Sequence, residues 1–286
     1  MKGIVLAGGS GSRLFPLSLA TSKQLMPVFD KPMIYYPIST LMLAGIQEIL
    51  IICSPIHRAA FEQLLGDGKR WGMSFTYRNQ NKPNGLAEAF IIGEEFIGND
   101  SVALILGDNL FYGMGLGESL RQKVVSHSGA KVYCQEVRDP ERYGIVELST
   151  SGNVLSLEEK PTKPKSSLAS TGLYFFDNKV AEFAKQLEPS KRGELEMTDL
   201  LRLYMNINEL SAEALERGVV WLDTGTIESL SSASEFVRVV QERQGIKISS
   251  PEEVAWRLGF ISDTELKEIA FEADSSYHTY LRSLKN

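Results

Sequence analysis

The sequence predicts an α/β protein: a mixed, mostly parallel sheet flanked by helices, with a β-rich insertion and a helical C-terminal tail. Three observations carry this. Up to about residue 136, short apolar runs alternate with longer segments whose apolar residues fall at helical spacing. From Tyr143 the pattern changes to alternating runs paired around turn residues. Beyond Gly245 only helical spacing remains.

Taken in order, strands are expected at "KGIVLA" (2–7), "EILIIC" (48–53), "SFTYR" (74–78), "VALILG" (102–107) and "AKVYCQEV" (130–137). Runs as uniformly apolar as "VALILG" suit strands buried on both faces. Helical patterns separate them at 33–46, 55–68 and 85–98, with Asn84 as a candidate cap and Gly45 and Gly98 as candidate ends. This is a Rossmann-like rhythm. "YGIVELSTSGNVLSLEEKP" predicts a hairpin, "STGLYFFD" a further strand, and 178–187 and 197–206 two helices. "ELSAEAL" and "GVVWLD" predict strands ahead of a helix over 226–245. Caps at Ser249–Pro251 and Ser262–Asp263 punctuate the tail. The boundaries this suggests are 1–244 for the main α/β domain, divided into 1–136 and 137–244, and 245–286 for the tail.

The bulk numbers narrow the function classes. A chain of 286 residues, 43% hydrophobic and 23% charged, can bury a large core without staples. No apolar run approaches the roughly 18 residues a membrane span needs, and no secretory leader is expected ahead of the strand at Lys2. The net charge of −6, with no basic stripe, argues against a nucleic-acid polymer as partner. Cys53 and Cys134 both sit in apolar strands, so they are expected as buried thiols, and a cytoplasmic address is expected.

Chemistry is first suggested by "LAGGSGSRLFPLSLATSKQ". A strand runs straight into Gly8, Gly9, Ser10, Gly11 and Ser12, whose backbone N–H groups can cradle phosphates. Arg13 adds a rigid fork of donors and Lys23 a point charge. The run fits neither a Walker A loop nor a dinucleotide fingerprint, because Leu14 stands where the latter needs its third glycine. A tight strand–helix turn with two surface cations is the plain alternative. Asp108 and Asp223 then each end an apolar strand, and two carboxylates plus substrate phosphates are a normal way to hold Mg²⁺. Taken singly, each aspartate would serve as a cap. Glu159 and Lys160, stopped by Pro161, offer a sugar-hydroxyl acceptor and a phosphate partner. Tyr143-Gly144 offers a ring edge and a backbone donor, Gln80 an amide for a base edge, and Gly85 a place where a base can lie on backbone.

Together these segments resemble the sugar-phosphate nucleotidyltransferase family. The resemblance rests on the opening loop, "GDN" (107–109), "YGIVE" (143–147), "EEKPTKPKS" (158–166), "TGLYFFD" (171–177), "RGELEMTD" (192–199), "WLDTGT" (221–226) and "GIKISSPEEVAWRLGFI" in the tail. Within the family the motifs are closest to its thymidylyl-transferring branch. The resemblance implies that dTTP and glucose 1-phosphate give dTDP-glucose and pyrophosphate, the opening step of dTDP-deoxysugar synthesis. It also makes the β-rich insertion the sugar-binding part. Gly8 to Ser12 would hold the triphosphate, Arg13 the departing pyrophosphate and Lys23 the α-phosphate. Mg²⁺ would sit on Asp108 and Asp223. Gln80 and Gly85 would read thymine with Gln24 close to the nucleoside. Tyr143, Gly144, Glu159 and Lys160 would bind the sugar phosphate, with Asn109 near the sugar and Arg192 and Glu194 in support. The family further implies a homotetramer and feedback by dTDP-rhamnose at a second site, for which Arg217, Lys247 and Glu253 are suitably placed in the sequence. Four departures stand out: Ser12 for a usual Thr, Ser170 for a usual apolar residue, "YGMGLGES" (112–119) without its usual His, and Trp256 for a usual Tyr.

Three rival readings compete with this one. A uridylyl- or adenylyltransferase on another sugar phosphate differs only in a few base contacts. A non-catalytic nucleotide-binding module is disfavoured because the charged set is complete. A nicotinamide-dependent dehydrogenase is disfavoured by the broken fingerprint.

Overall fold

The computed structural model describes residues 1–125 and 128–284. The strands are β1 (Lys2–Ala7), β2 (Pro27–Val28), β3 (Lys31–Pro32), β4 (Glu48–Cys53), β5 (Ser74–Asn79), β6 (Val102–Leu106), β7 (Asn109–Tyr112), β8 (Ala130–Glu136), β9 (Gly144–Leu148), β10 (Val154–Glu159), β11 (Leu168–Phe176), β12 (Leu210–Ala214) and β13 (Val220–Asp223). The helices are α1 (Tyr35–Leu43), α2 (Arg58–Leu65), α3 (Glu88–Ile92), α4 (Glu94–Ile97), α5 (Leu116–Val125), α6 (Val180–Ala184), α7 (Met197–Asn206), α8 (Ile227–Gln244), α9 (Pro251–Arg257), α10 (Asp263–Ala270) and α11 (Ser276–Ser283).

Nine strands form one sheet. β5, β4, β1 and β6 lie side by side and parallel, as crossover connections require. β11 then enters antiparallel and is the branch point. Its C-terminal half pairs with β6, its N-terminal end touches β9, and β8 runs along its other edge with β12 beyond. The β9–β10 hairpin therefore continues the sheet past the carboxyl end of β6 and makes a wall there.

Period-two alternation divides the core. Val5, Ile49, Ile51 and Ile105 face one side with α1, α2 and the tail, whose Ile261, Leu266 and Leu281 join the same cluster. Ile4, Leu50, Ile52 and Leu104 face the other, under α3, α6 and α7. α8 packs separately, through Ala233 and Val237, on Val28, Met33 and Tyr36.

Some expectations change. "GVVWLD" forms the expected strand, but outside the main sheet: β13 pairs antiparallel with β7, a strand the spacing did not predict, in a separate two-stranded ribbon. The 85–98 segment breaks at Gly93 into two short helices, and Asn84 bonds the Glu88 carboxylate rather than capping backbone. The tail caps are Ser250 and Ser262, each accepting from the backbone N–H three residues on. Both cysteines are buried and free, and burial pushes the Cys53 thiol up to about 11.

Candidate active site

The glycine loop leaves β1 at the carboxyl edge of the parallel strands. Gly11 takes φ +63°, where a side chain would crowd Ser18, and the Ser18 hydroxyl bonds its carbonyl at 2.8 Å. A single 3-10 turn, Ser12–Leu14, follows and buries Leu14. The loop thus stands pinned at its base. Among the described residues, the N–H groups of Gly9, Ser10 and Gly11 make no hydrogen bond. Lys23, which opens the third 3-10 turn after the loop (Lys23–Leu25), reaches back and pairs with Asp108.

Asp108 and Asp223 come together through the ribbon. In the β7–β13 register Asp223 faces Asn109, the residue after Asp108. Thr224 locks the junction, its hydroxyl donating to the Asp108 carbonyl at 2.7 Å and its N–H at 3.1 Å. Asp223 Oδ1 accepts from the Gly225 N–H at 2.9 Å. Burial first, and then the Asp108 charge, hold the Asp223 carboxyl above its ordinary value, against Lys23 and Arg13. Antiparallel pairing of β7 with β13 is what joins the two carboxylates, a long-range contact that the strand ends alone do not specify.

At the nucleotide end, Gln80 follows β5 and is 4% exposed. It lies so close to the backbone that a Cβ on Gly8 would stand 2.2 Å from its Oε1. Gly85 has φ +112° and presses against Leu195, leaving no room for any side chain. Gln24 is buried, its Oε1 accepting from the Ser22 hydroxyl at 2.6 Å.

At the other end, β9 and β10 present Gly144 and Glu159, which sit opposite in register. A Cβ on Gly144 would meet the Glu159 carboxylate at 3.3 Å, so glycine keeps that face open. Burial raises the Glu159 carboxyl above its usual 4.5 despite Lys160 and Arg192 nearby. Lys160 takes φ +43° while its N–H bonds the Tyr143 carbonyl at 3.0 Å, which turns the chain out of β10. Arg192 bridges Glu159 at 3.5 Å, Glu194 at 2.9 Å and the buried Glu196 at 3.3 Å. Ser170 donates to the Tyr174 phenol at 2.8 Å, so its hydroxyl is satisfied within the wall.

Sequence reasoning missed three residues here. Arg142 lies 5.4 Å over the Tyr143 ring and 3.8 Å from the Asp223 carboxylate. Trp221 packs edge-on against Tyr143 at 5.3 Å and donates to Asn109 at 3.0 Å. Thr198 approaches Glu159 at 3.5 Å. The only local signal was the Arg-Tyr-Gly run itself, in which an arginine precedes a ring already under suspicion.

These groups line one continuous cleft with two lobes, about 850 and 1150 Å³ with open solvent included. Arg13, Asp108, Glu159 and Lys160 line both lobes. Gly9 to Ser12, Lys23, Gln24, Gln80 and Gly85 belong to one, and Asn109, Tyr143, Gly144 and Asp223 to the other, while Gly8 packs against Gln80 and lines neither. Arg192 and Glu194 stand at the rim of the first.

The Nucleotidyl transferase family model matches residues 2–239 of this chain. The chain belongs to the nucleotidyl transferase family. Similar members include glucose-1-phosphate thymidylyltransferases of Neisseria meningitidis serogroup A, 55% identical, and Mycolicibacterium smegmatis, 53% identical, each with 99% of both chains covered. Among solved structures, a Bacillus anthracis protein assigned as a glucose-1-phosphate thymidylyltransferase, in complex with a sucrose, superposes with TM-score 0.77 at 42% identity, covering 83% of this chain and 95% of that one. A UDP-glucose pyrophosphorylase complexed with UDP-glucose gives 0.74 at 25% identity, covering 84% and 98%.

In this nucleotidyl transferase the residues present suit a hard cation. Asp108 and Asp223 repel one another and are only partly neutralised by Lys23 and Arg13. No cluster of three His, Cys, Asp or Glu forms a complete metal cage among the described residues. Two carboxylates completed by substrate phosphates are the normal Mg²⁺ arrangement. Of the three tail-site candidates, Lys247 and Glu253 converge on Tyr280: the ammonium stands 5.9 Å over its ring and the carboxylate accepts its hydroxyl at 2.5 Å. Arg217 is exposed between β12 and β13, and no hydrogen bond or ion pair among the described residues joins it to either.

Proposed function

We propose that this chain transfers a thymidylyl group from dTTP to glucose 1-phosphate, releasing pyrophosphate and forming dTDP-glucose. The observation that carries the reading is the shared floor of the two lobes. Arg13, Asp108 and Lys160 face both, so two phosphorylated substrates bound side by side would meet over them. The names of the full-length relatives support thymine and glucose over other bases and sugars.

The mechanism follows from the side chains. The free N–H groups of Gly9, Ser10 and Gly11 bind the triphosphate, and Arg13 neutralises charge on the leaving pyrophosphate. Lys23, held over the cleft by Asp108, exchanges that carboxylate for the α-phosphate as negative charge grows there. Lys160 and Arg142 position the sugar phosphate, while Glu159 and Gly144 accept and donate to sugar hydroxyls. A phosphate monoester is already ionised near neutral pH, so attack on the α-phosphorus needs orientation and charge neutralisation rather than a general base. Nucleotidyl transferases typically use a divalent metal. Mg²⁺ on Asp108 and Asp223 would supply charge neutralisation across the nucleotide phosphates.

The same reading treats 1–136 as the nucleotide half, 137–244 as the sugar-phosphate part and 245–286 as an assembly and regulatory segment. It includes a cytoplasmic homotetramer with dTDP-rhamnose feedback through Arg217, Lys247 and Glu253. No described helix is long and apolar enough to cross a membrane. The test is pyrophosphate release from glucose 1-phosphate and Mg²⁺ with dTTP, UTP or ATP, beside Asp108→Asn. Release fastest with dTTP and at least 100-fold slower in the variant is expected. Preference for UTP or ATP would move the chain to a sister activity and overturn the assignment to thymine, and full activity in the variant would overturn the role of Asp108.

A further inference from the structure

Glu88, the first residue of α3, takes no part in the chemistry above, yet it decides what Gln80 can offer a base. An amide presents two donors on one side and an acceptor on the other, and in projection the two ends have nearly the same shape. Which end faces the cleft must therefore be set by neighbours. Gln80 Nε2 donates to Glu88 Oε2 at 2.8 Å and lies 3.3 Å from the Gly85 carbonyl. A carboxylate and a carbonyl are both acceptors only, so neither tolerates the amide turned over. The second oxygen of Glu88 is occupied as well, accepting from Asn84 Nδ2 at 2.8 Å, which holds the carboxylate in place. The consequence appears on the far side of Gln80. Its Oε1 points at Gly8, where only the missing Cβ gives it room, and it accepts no hydrogen bond among the described residues. Gln80 lines the nucleotide lobe.

We propose that Glu88 is a positioning residue that locks Gln80 as a lone acceptor in the cleft, so that the site selects nucleobases carrying an imide N–H. Thymine presents an N3–H donor to such an acceptor. Cytosine presents a bare N3 lone pair, and two acceptors facing each other repel. A site built around one hydrogen bond rejects the analogue lacking it far better than an apolar pocket rejects a missing methyl. Uracil carries the same imide, so this pair does not separate dTTP from UTP. The proposal rests on the functional reading above in taking the base to bind at Gln80.

The experiment compares wild type, Gln80→Ala, Glu88→Ala and Glu88→Gln. Each is assayed for pyrophosphate release with glucose 1-phosphate and either dTTP or dCTP, and each is titrated with both nucleotides at equilibrium. Wild type is expected to prefer dTTP strongly. Glu88→Ala should raise the KM for dTTP about 10-fold or more with kcat little changed, and should narrow the dTTP-to-dCTP ratio, as Gln80→Ala does. Glu88→Gln should restore most of the loss, because its own amide oxygen accepts the same bond. Wild-type selectivity retained in Glu88→Ala would overturn the proposal, as would a fall in kcat alone. A wild type inactive with every nucleotide would sink the functional reading instead, and the titrations would still decide the pair.

Discussion

At Glu159 the cleft sets burial against charge. The carboxylate sits at the end of β10, across from Gly144 of β9, with Lys160 and Arg192 in reach, yet burial dominates and its proton is held above the usual 4.5. A carboxyl whose folded value is raised costs stability when ionised. That cost is full above the folded value and gone below the unfolded one. Glu159→Gln should therefore raise thermal stability at neutral pH, with the gain fading as pH falls toward 4.5. Melting curves across pH check this, and a gain that grows on acidification would contradict it. Activity should move the other way, because the acceptor for sugar hydroxyls is weakened. Residues of this kind were legible in the sequence because several departed from local need: an Asp after a buried strand, and a Glu-Lys pair cut off by proline. Arg142 and Thr198 were not, since a surface arginine and a first-turn threonine look ordinary until the fold puts Asp223 and Glu159 beside them.

Among the elements, the β7–β13 ribbon matters most and was least legible. The strands β1, β4 and β6 could be read directly, because strands buried on both faces are written as nearly unbroken apolar runs, while β5, at the sheet edge, shows as an alternating run with Phe75 and Tyr77 inward. β7 is four residues long, follows two residues after β6, and finds its partner more than a hundred residues later. No local pattern encodes such a pairing. Thr224 is its clasp, with two bonds to the Asp108 carbonyl. Thr224→Val removes the hydroxyl bond and keeps the shape, so it should cost about 1 kcal/mol in urea unfolding. It should also lower kcat while leaving the KM for dTTP near wild type, because only the aspartate junction loosens. A variant as active as wild type would show that the ribbon does not set the carboxylates. The break at Gly93 was hidden for a different reason. The apolar spacing continues across it, while the glycine sits tightly under Ile4 and Leu50.

For the whole molecule, the tail is part of the core rather than an appendage. Ile261, Leu266, Ile269 and Leu281 are buried in the same cluster as Phe61 and Trp71, each contributing about 1.5–3 kcal/mol. Glu252 is buried at the seam, accepting from the Trp71 indole at 3.1 Å and the Tyr277 hydroxyl at 2.5 Å. The chain should accordingly unfold in one transition, with tryptophan fluorescence and far-ultraviolet circular dichroism coinciding. An early, separate loss of helix would contradict this. The cleft holds two lobes over one charged floor, and the proposed function has the transfer run directly between substrates bound in them. The most direct measurement is the stereochemical course at phosphorus, using dTTP with a single sulfur configuration at its α-phosphate and glucose 1-phosphate as acceptor. One in-line displacement predicts inversion in the dTDP-glucose formed. Retention would mean two displacements through an enzyme-bound intermediate, and would contradict the account.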